Sequence, residues 1–118
     1  MTNKIYYLSS CSTCLRIMNE LGLDEKFEKQ DIKKENINEA DLEFFAKQIG
    51  SYEALFSKRA MKYKSMGLKE KNLTEHDFKQ LMLDEYTFLK RPFILINGEA
   101  FVGNSKKTVE AIKSKLNQ

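Results

Sequence analysis

Residues 4–8, KIYYL, form an unbroken apolar and aromatic run, the pattern of a short buried strand. Ser9, Ser10 and Cys11 follow as a turn. From Ser12 the period changes. Leu15, Ile17, Met18 and Leu21 recur at helical spacing, and Gly22 supplies a residue suited to end the helix. Residues 26–32, KFEKQDI, alternate and predict a second strand with Phe27 on one face. A strand, a three-turn helix and a second strand in so short a segment make a parallel βαβ unit, with a right-handed crossover.

The middle of the chain has a different texture. NINEADLEFFAKQIG offers Asn38 as an N-cap, a stripe of Leu42, Phe45 and Ile49, and a terminal Gly50. SYEALFSKRAMKYKSMGL opens on another cap and predicts one or two short helices ending near Gly67. LTEHDFKQLMLDEY opens on Thr74, has an acidic first turn, and sets Phe78, Leu81 and Met82 on one face. These segments predict a helical insertion at about residues 38–88, longer than a connecting loop has reason to be. Strands return in RPFILINGEAFVG, two apolar runs joined by Asn97-Gly98, a type I′ hairpin signal. NSKKTVEAIKSKL closes the chain as an amphipathic helix with Val109, Ile112 and Leu116 inward. The order βαβ, helical insertion, ββα predicts one α/β domain over residues 1–118 with a mixed four-stranded sheet. That layout resembles the thioredoxin-like fold.

Composition changes this picture mainly by exclusion. The 20 basic and 17 acidic residues leave a formal net charge of +3, and the lysines lie scattered among the acids. That is a solvated surface rather than the basic stripe of a nucleic-acid-binding protein. No run approaches the ~18 apolar residues of a membrane span, and MTNKIYYLSSCS lacks the apolar core of a signal peptide. A cytoplasmic chain is expected. In that compartment structural disulfides are rare, and a close cysteine pair is more often catalytic or metal-binding.

The two cysteines stand together in CSTC, as Cys11 and Cys14. They could be a redox pair, half of a metal site, or two buried thiols acting as small apolar residues. Tetrahedral zinc needs about four ligands, and the single histidine, His76, reads as an exposed first-turn residue. No metal is expected. Cys11, between the first strand and the first helix, faces unpaired backbone N–H groups and the positive end of the helix dipole, which favours its thiolate. Cys14, one turn on, can attack an adduct or mixed disulfide on Cys11. The expected roles are Cys11 as nucleophile and Cys14 as resolving thiol.

Pro92, the only proline, precedes the third strand, where a cis bond suits a sharp entry. Arg91 beside it would then point its guanidinium toward Cys11, lower the thiol pKa and hold an oxyanion bidentately. Arg59, in FSKRAMKYK, is a second candidate. Arg16 is expected to face solvent. Tyr6, Tyr7, Phe44 and Phe45 are expected in the core, and Met61, Met66 and Met82 as packing filler.

With these motifs the chain resembles the ArsC family, thioredoxin-fold proteins that include glutaredoxin-coupled arsenate reductases and the Spx-type regulators. The resemblance rests on CSTC, LFSKRAMKYKSMGL, KRPFILINGEAFVGNSKKTVEAI and the element order, and covers nearly the whole chain. It implies a thiol oxidoreductase without a bound cofactor, in which the cysteine matching Cys11 attacks arsenate. Three arginines hold the oxyanion in such reductases, and Arg91 matches the one before the proline. Glutathione and glutaredoxin complete the reduction there; a Cys11–Cys14 disulfide would allow recycling by a thioredoxin-like partner.

The chain departs from that pattern at two of the three arginines. The insertion arginine would align closer to Ser57, and Arg59 instead matches the N-x-R-G-like pattern of the reductase-like and Spx-like branches, with Ala60 for the glycine. The third arginine position is Asn104, an oxyanion-site candidate that lacks the guanidinium fork. Lys106 and Lys107 nearby are point charges. The C-x-x-C pair is also similar to the Spx-type redox switch, which implies the alternative of an oxidation-sensing regulator that binds RNA polymerase. Spx-type chains usually continue past the last helix, and KSKLNQ ends this one, which favours the enzyme.

Overall fold

The computed structural model describes residues 3–23, 25 and 27–117. Its regular elements are β1 (Lys4–Tyr7), α1 (Ser12–Leu21), β2 (Glu28–Asp31), α2 (Glu39–Ile49), α3 (Met61–Ser65), α4 (Glu75–Asp84), β3 (Phe93–Ile96), β4 (Glu99–Val102) and α5 (Lys106–Leu116). They form two compact units, one from the segments before Asn36 and after Lys90, the other from Asn36–Lys90. None of the described helices is long and apolar enough to cross a membrane.

In the first unit the sheet order is β2-β1-β3-β4. β1 runs parallel to β2 and antiparallel to β3, and β3 pairs antiparallel with β4. The βαβ and ββα halves expected from the sequence are both present, and the sheet is mixed and four-stranded. The β3–β4 turn follows its sequence signal: Asn97 and Gly98 both have positive φ, 49° and 83°, as a type I′ turn requires. Pairing sets Ile5 opposite Ile94, and the alternation of the pleat then sorts the faces. Ile5, Phe27, Ile94, Ile96 and Ile112 make one buried cluster, with Met18 and Leu21 of α1 and Leu116 of α5 packed against it. Each isoleucine so buried contributes about 1.5–3 kcal/mol, so this cluster anchors both helices to the sheet.

Two details differ from the periodicity reading. On α1, Leu15 is 46% exposed while Cys14 and Ile17 are buried, so the inward face runs Cys14, Ile17, Met18, Leu21. The strand expected over 26–32 is only Glu28–Asp31; Phe27 and Ile32 are buried just outside it, and Lys26 lies outside the described residues. β2 is a sheet edge, and its largely polar, exposed residues fit that position.

The second unit is held by helix caps and an aromatic cluster. The Asn38 side chain accepts from the Asp41 N–H at the start of α2, and Thr74 forms a full capping box with Asp77 on α4. Leu42, Phe45, Phe78 and Met82 are buried as the stripes predict, but Ile49 is 37% exposed at the end of α2. Segment SYEALFSKRAMKYKSMGL contains a 3-10 turn at Glu53–Leu55 and the five-residue α3, which buries nothing. Met61 and Met66 are exposed there, 87% and 47%, so of the three methionines read as packing only Met82 fills the core. An antiparallel bridge between Phe56 and Leu89, with the Ser57 N–H donating to the Phe88 C=O, closes this unit.

Candidate active site

Cys11 is the N-cap of α1, in extended backbone (φ −96°, ψ 106°). The turn that delivers it is short: the Cys11 N–H donates to the Leu8 C=O at 3.0 Å, and the Leu15 N–H closes the first helical bond to the Cys11 C=O. This leaves the sulfur beside the unpaired N–H groups of the first turn. Partial burial works against its ionisation. The backbone N–H and side chain of Cys14, the positive charge of Arg91 and the Thr13 N–H outweigh that burial and hold the Cys11 thiol below its ordinary value. None of these amounts to a formed side-chain cap.

Cys14 behaves oppositely. It is fully buried, and both thiols are free. Burial, then the Cys11 side chain and its negative charge, push the Cys14 thiol up to about 12; the Leu8 N–H and Arg91 act in the other direction but lose. The half-buried thiol is thus biased toward its thiolate and the buried thiol toward its protonated form.

A pH consequence follows for stability. An unfolded chain releases the Cys14 proton near the ordinary 9.0, whereas the folded chain holds it to about 12. Between those values the unfolded state binds fewer protons, so wild-type stability falls as pH rises. Urea unfolding at pH 8 and pH 10.5 is expected to show the wild type's advantage over Cys14→Ala shrinking by about 1 kcal/mol or more. Lysines and tyrosines cancel in that difference, and an unchanged gap would contradict it.

Arg91 is half-buried and acts on both thiols, and the Arg91–Pro92 peptide is cis, as the sequence led us to expect. The Gly103 N–H donates to the Pro92 C=O at 2.9 Å, tying the turn after β4 to the proline. Asn104 follows that glycine, exposed, just before Ser105, the N-cap of α5. Lys106 and Lys107 are exposed on the first turn of α5. Arg16 faces solvent and pairs with Glu20 on its own helix at 3.7 Å. Arg59 lies exposed in the second unit, in the turn before α3. His76 is exposed, and among the described residues no group of three or more His, Cys, Asp or Glu is placed to hold a metal ion. Tyr6 and Phe45 are core residues, while Tyr7 and Phe44 are only half-buried.

One group near the site escaped the sequence reading. Asp31, at the end of β2, is buried, and its Oδ1 accepts from the Ser9 N–H in the turn before Cys11. Its only sequence signal was a carboxylate ending a strand beside two lysines.

A family model described as "ArsC family" matches residues 6–112. The chain is 26% identical over 112 residues to an arsenate reductase of Neisseria meningitidis, covering 92% of this chain and 96% of that one. Among solved structures it is similar to an arsenate reductase from Vibrio cholerae (TM-score 0.73, 20% identity, 93% and 97% of the two chains). It is also similar to an arsenate reductase-related protein from Brucella melitensis (TM-score 0.68, 24% identity, 94% and 93%). These structural likenesses establish the thioredoxin-like fold. With the family model reaching from within β1 into α5, across the thiol pair and the cis-proline, the chain belongs to the ArsC family.

Proposed function

We propose that the protein is an arsenate reductase-like thiol oxidoreductase in which Cys11 is the nucleophile and Cys14 the resolving thiol. The observation that carries this reading is the opposite bias of the two thiols, with Arg91 acting on both. The name of the N. meningitidis relative supplies the substrate class, an oxyanion of arsenic.

The Cys11 thiolate attacks arsenic, an arsenate oxygen leaves as water after taking up protons, and a sulfur–arsenic bond forms. Arg91 offers a guanidinium to the oxyanion, and Asn104 a neutral amide. Once Cys11 is bonded to arsenic, it no longer presents a negative charge or a competing thiolate to Cys14. Two of the causes that keep Cys14 protonated then vanish, while Arg91 remains. Cys14 passes its proton to an oxygen of the arsenic group and attacks the Cys11 sulfur. Arsenic departs with the electron pair of the sulfur–arsenic bond as arsenite, and a Cys11–Cys14 disulfide remains. That disulfide takes two electrons from an external thiol system, thioredoxin or glutathione with glutaredoxin.

The test is arsenate-dependent NADPH oxidation coupled to each reductant system in turn. Cys11→Ser is expected to remove turnover, and Cys14→Ser to remove it with thioredoxin while glutathione and glutaredoxin can still support it. Arg91→Ala is expected to slow turnover about tenfold or more, and Arg59→Ala tests the second arginine in the same assay. No turnover in either system, with Cys11 still reactive, would move the reading to a different thiol substrate, such as a disulfide, or to the oxidation-sensing Spx type.

A further inference from the structure

Asp31 is the only buried charged residue among those described, and neither step of the proposed reaction uses it. It sits at the junction of two turns. Its Oδ1 accepts from the Ser9 N–H in the β1–α1 turn and from the Lys33 N–H in the turn after β2, each at 3.2 Å. Its own C=O accepts from the Lys34 and Glu35 N–H groups, both at 3.0 Å. The Ser9 side chain, its backbone N–H and the Lys33 N–H hold the carboxyl below the usual carboxylate range, so it is charged at neutral pH. Yet Oδ2 is buried with no hydrogen bond.

A buried carboxylate with an unpaired oxygen is a costly way to cap a turn, because an exposed Asn or Ser would do so without desolvating a charge. Capping the turn after β2 therefore does not account for it. The link to Ser9 joins residues 22 positions apart in the chain, and it lands two residues before Cys11. The same four-residue turn carries the Leu8 C=O to Cys11 N–H bond, and its Leu8 N–H faces the Cys14 sulfur. Movement at Ser9 would displace the Cys11 sulfur relative to the N–H groups of α1, and the Leu8 N–H relative to the Cys14 sulfur.

We propose that Asp31 is a positioning residue for the thiol pair: by clamping Ser9 to the end of β2, its carboxylate fixes the β1–α1 turn that aims the Cys11 sulfur at the N–H groups of Thr13 and Cys14. This rests on the reading of Cys11 as the reactive thiolate. Its contribution is geometric. The carboxylate's charge alone would oppose a second anion at Cys11, so geometry and charge predict opposite effects on removal.

The experiment is iodoacetamide alkylation of the full-length protein from pH 5 to 9, with Cys11 and Cys14 resolved by peptide mass spectrometry. Wild type is compared with Asp31→Ala, Asp31→Asn and Ser9→Ala, each checked for folding by circular dichroism. Asp31→Ala removes the clamp and is expected to move the Cys11 profile to higher pH, slowing its alkylation at pH 7 about fivefold. Asp31→Asn keeps an acceptor for the Ser9 N–H and is expected to stay within about twofold of wild type. Ser9→Ala removes the hydroxyl that acts on the carboxylate but keeps the N–H that makes the clamp, and is expected to stay close to wild type. A merely structural role would lower the melting temperature of Asp31→Ala without moving its Cys11 profile, and that result overturns the proposal. So does a downward shift in both Asp31 variants, the mark of a charge effect. If Asp31→Ala does not fold, Asp31→Ser replaces it, because the shorter side chain can still cap its own turn but not span to the Ser9 N–H: a Cys11 profile superimposed on wild type overturns the proposal. A wild-type Cys11 that reacts no faster than Cys14 would instead remove the functional reading beneath it.

Discussion

Iodoacetamide at pH 7 is expected to alkylate Cys11 at least about a hundred times faster than Cys14. The nucleophile is the thiolate, so rate follows thiolate fraction and access. A thiol at about 12 is ionised in roughly one molecule in a hundred thousand at pH 7. Cys14 also has no solvent-exposed surface. Cys11 is half-buried and held below its ordinary value, so both factors favour it. Its lower intrinsic nucleophilicity recovers only part of that gap for Cys14, since nucleophilicity changes with pKa less steeply than ionisation does. In concentrated urea both become ordinary thiols and the two rates are expected to converge. Equal rates in the folded protein would show that α1 and Arg91 do not distinguish the sulfurs.

Phe56→Ala is expected to cost about 3–5 kcal/mol of stability. Its ring is almost completely buried in the second unit. It stacks on Phe88 with centroids 4.9 Å apart and planes 19° off parallel, and meets Phe78 edge-on at 4.9 Å and Tyr63 at 5.9 Å. Truncation opens a cavity among three rings that backbone pairing holds in place, because the Phe56–Leu89 bridge and the Ser57 N–H to Phe88 C=O bond fix the segment on either side. Small domains hold only about 5–15 kcal/mol in total, so the midpoint is expected to fall by roughly 10–20 °C. Phe44→Ala is the control. That ring is half-buried and meets Phe45 edge-on at 6.1 Å, and its loss is expected to cost about 1 kcal/mol. Equal shifts in the two variants would mean that the Phe56 cluster is not the core of this unit.

Features set by local chemistry were legible in the sequence. Asn97-Gly98 demands its turn, and Asn38 and Thr74 cap helices through their own side chains. CSTC falls at a strand-to-helix junction because the apolar run ends and the helical period begins there. Apolarity alone misjudged the faces of short elements. Leu15 carries more apolar surface than Cys14, yet the sheet receives the face that contains Cys14. Met61 and Met66 looked like filler, but a five-residue helix such as α3 has no stripe to bury. Asp31 could not be found this way, because its partner Ser9 is brought beside it only by the parallel register of β1 and β2, with Tyr7 opposite Asp31.

If Cys11 and Cys14 together supply two electrons to an oxyanion, a single-turnover reaction with arsenate shows it without any other thiol. Reduced protein is mixed with an equal amount of arsenate, with no other thiol present, then quenched in acid and analysed by intact mass and arsenic speciation. The expected products are arsenite in step with a protein two hydrogens lighter, carrying a Cys11–Cys14 disulfide, and neither product in Cys11→Ser. Unchanged protein and unchanged arsenate, from a sample whose Cys11 still alkylates rapidly, would contradict that two-electron transfer.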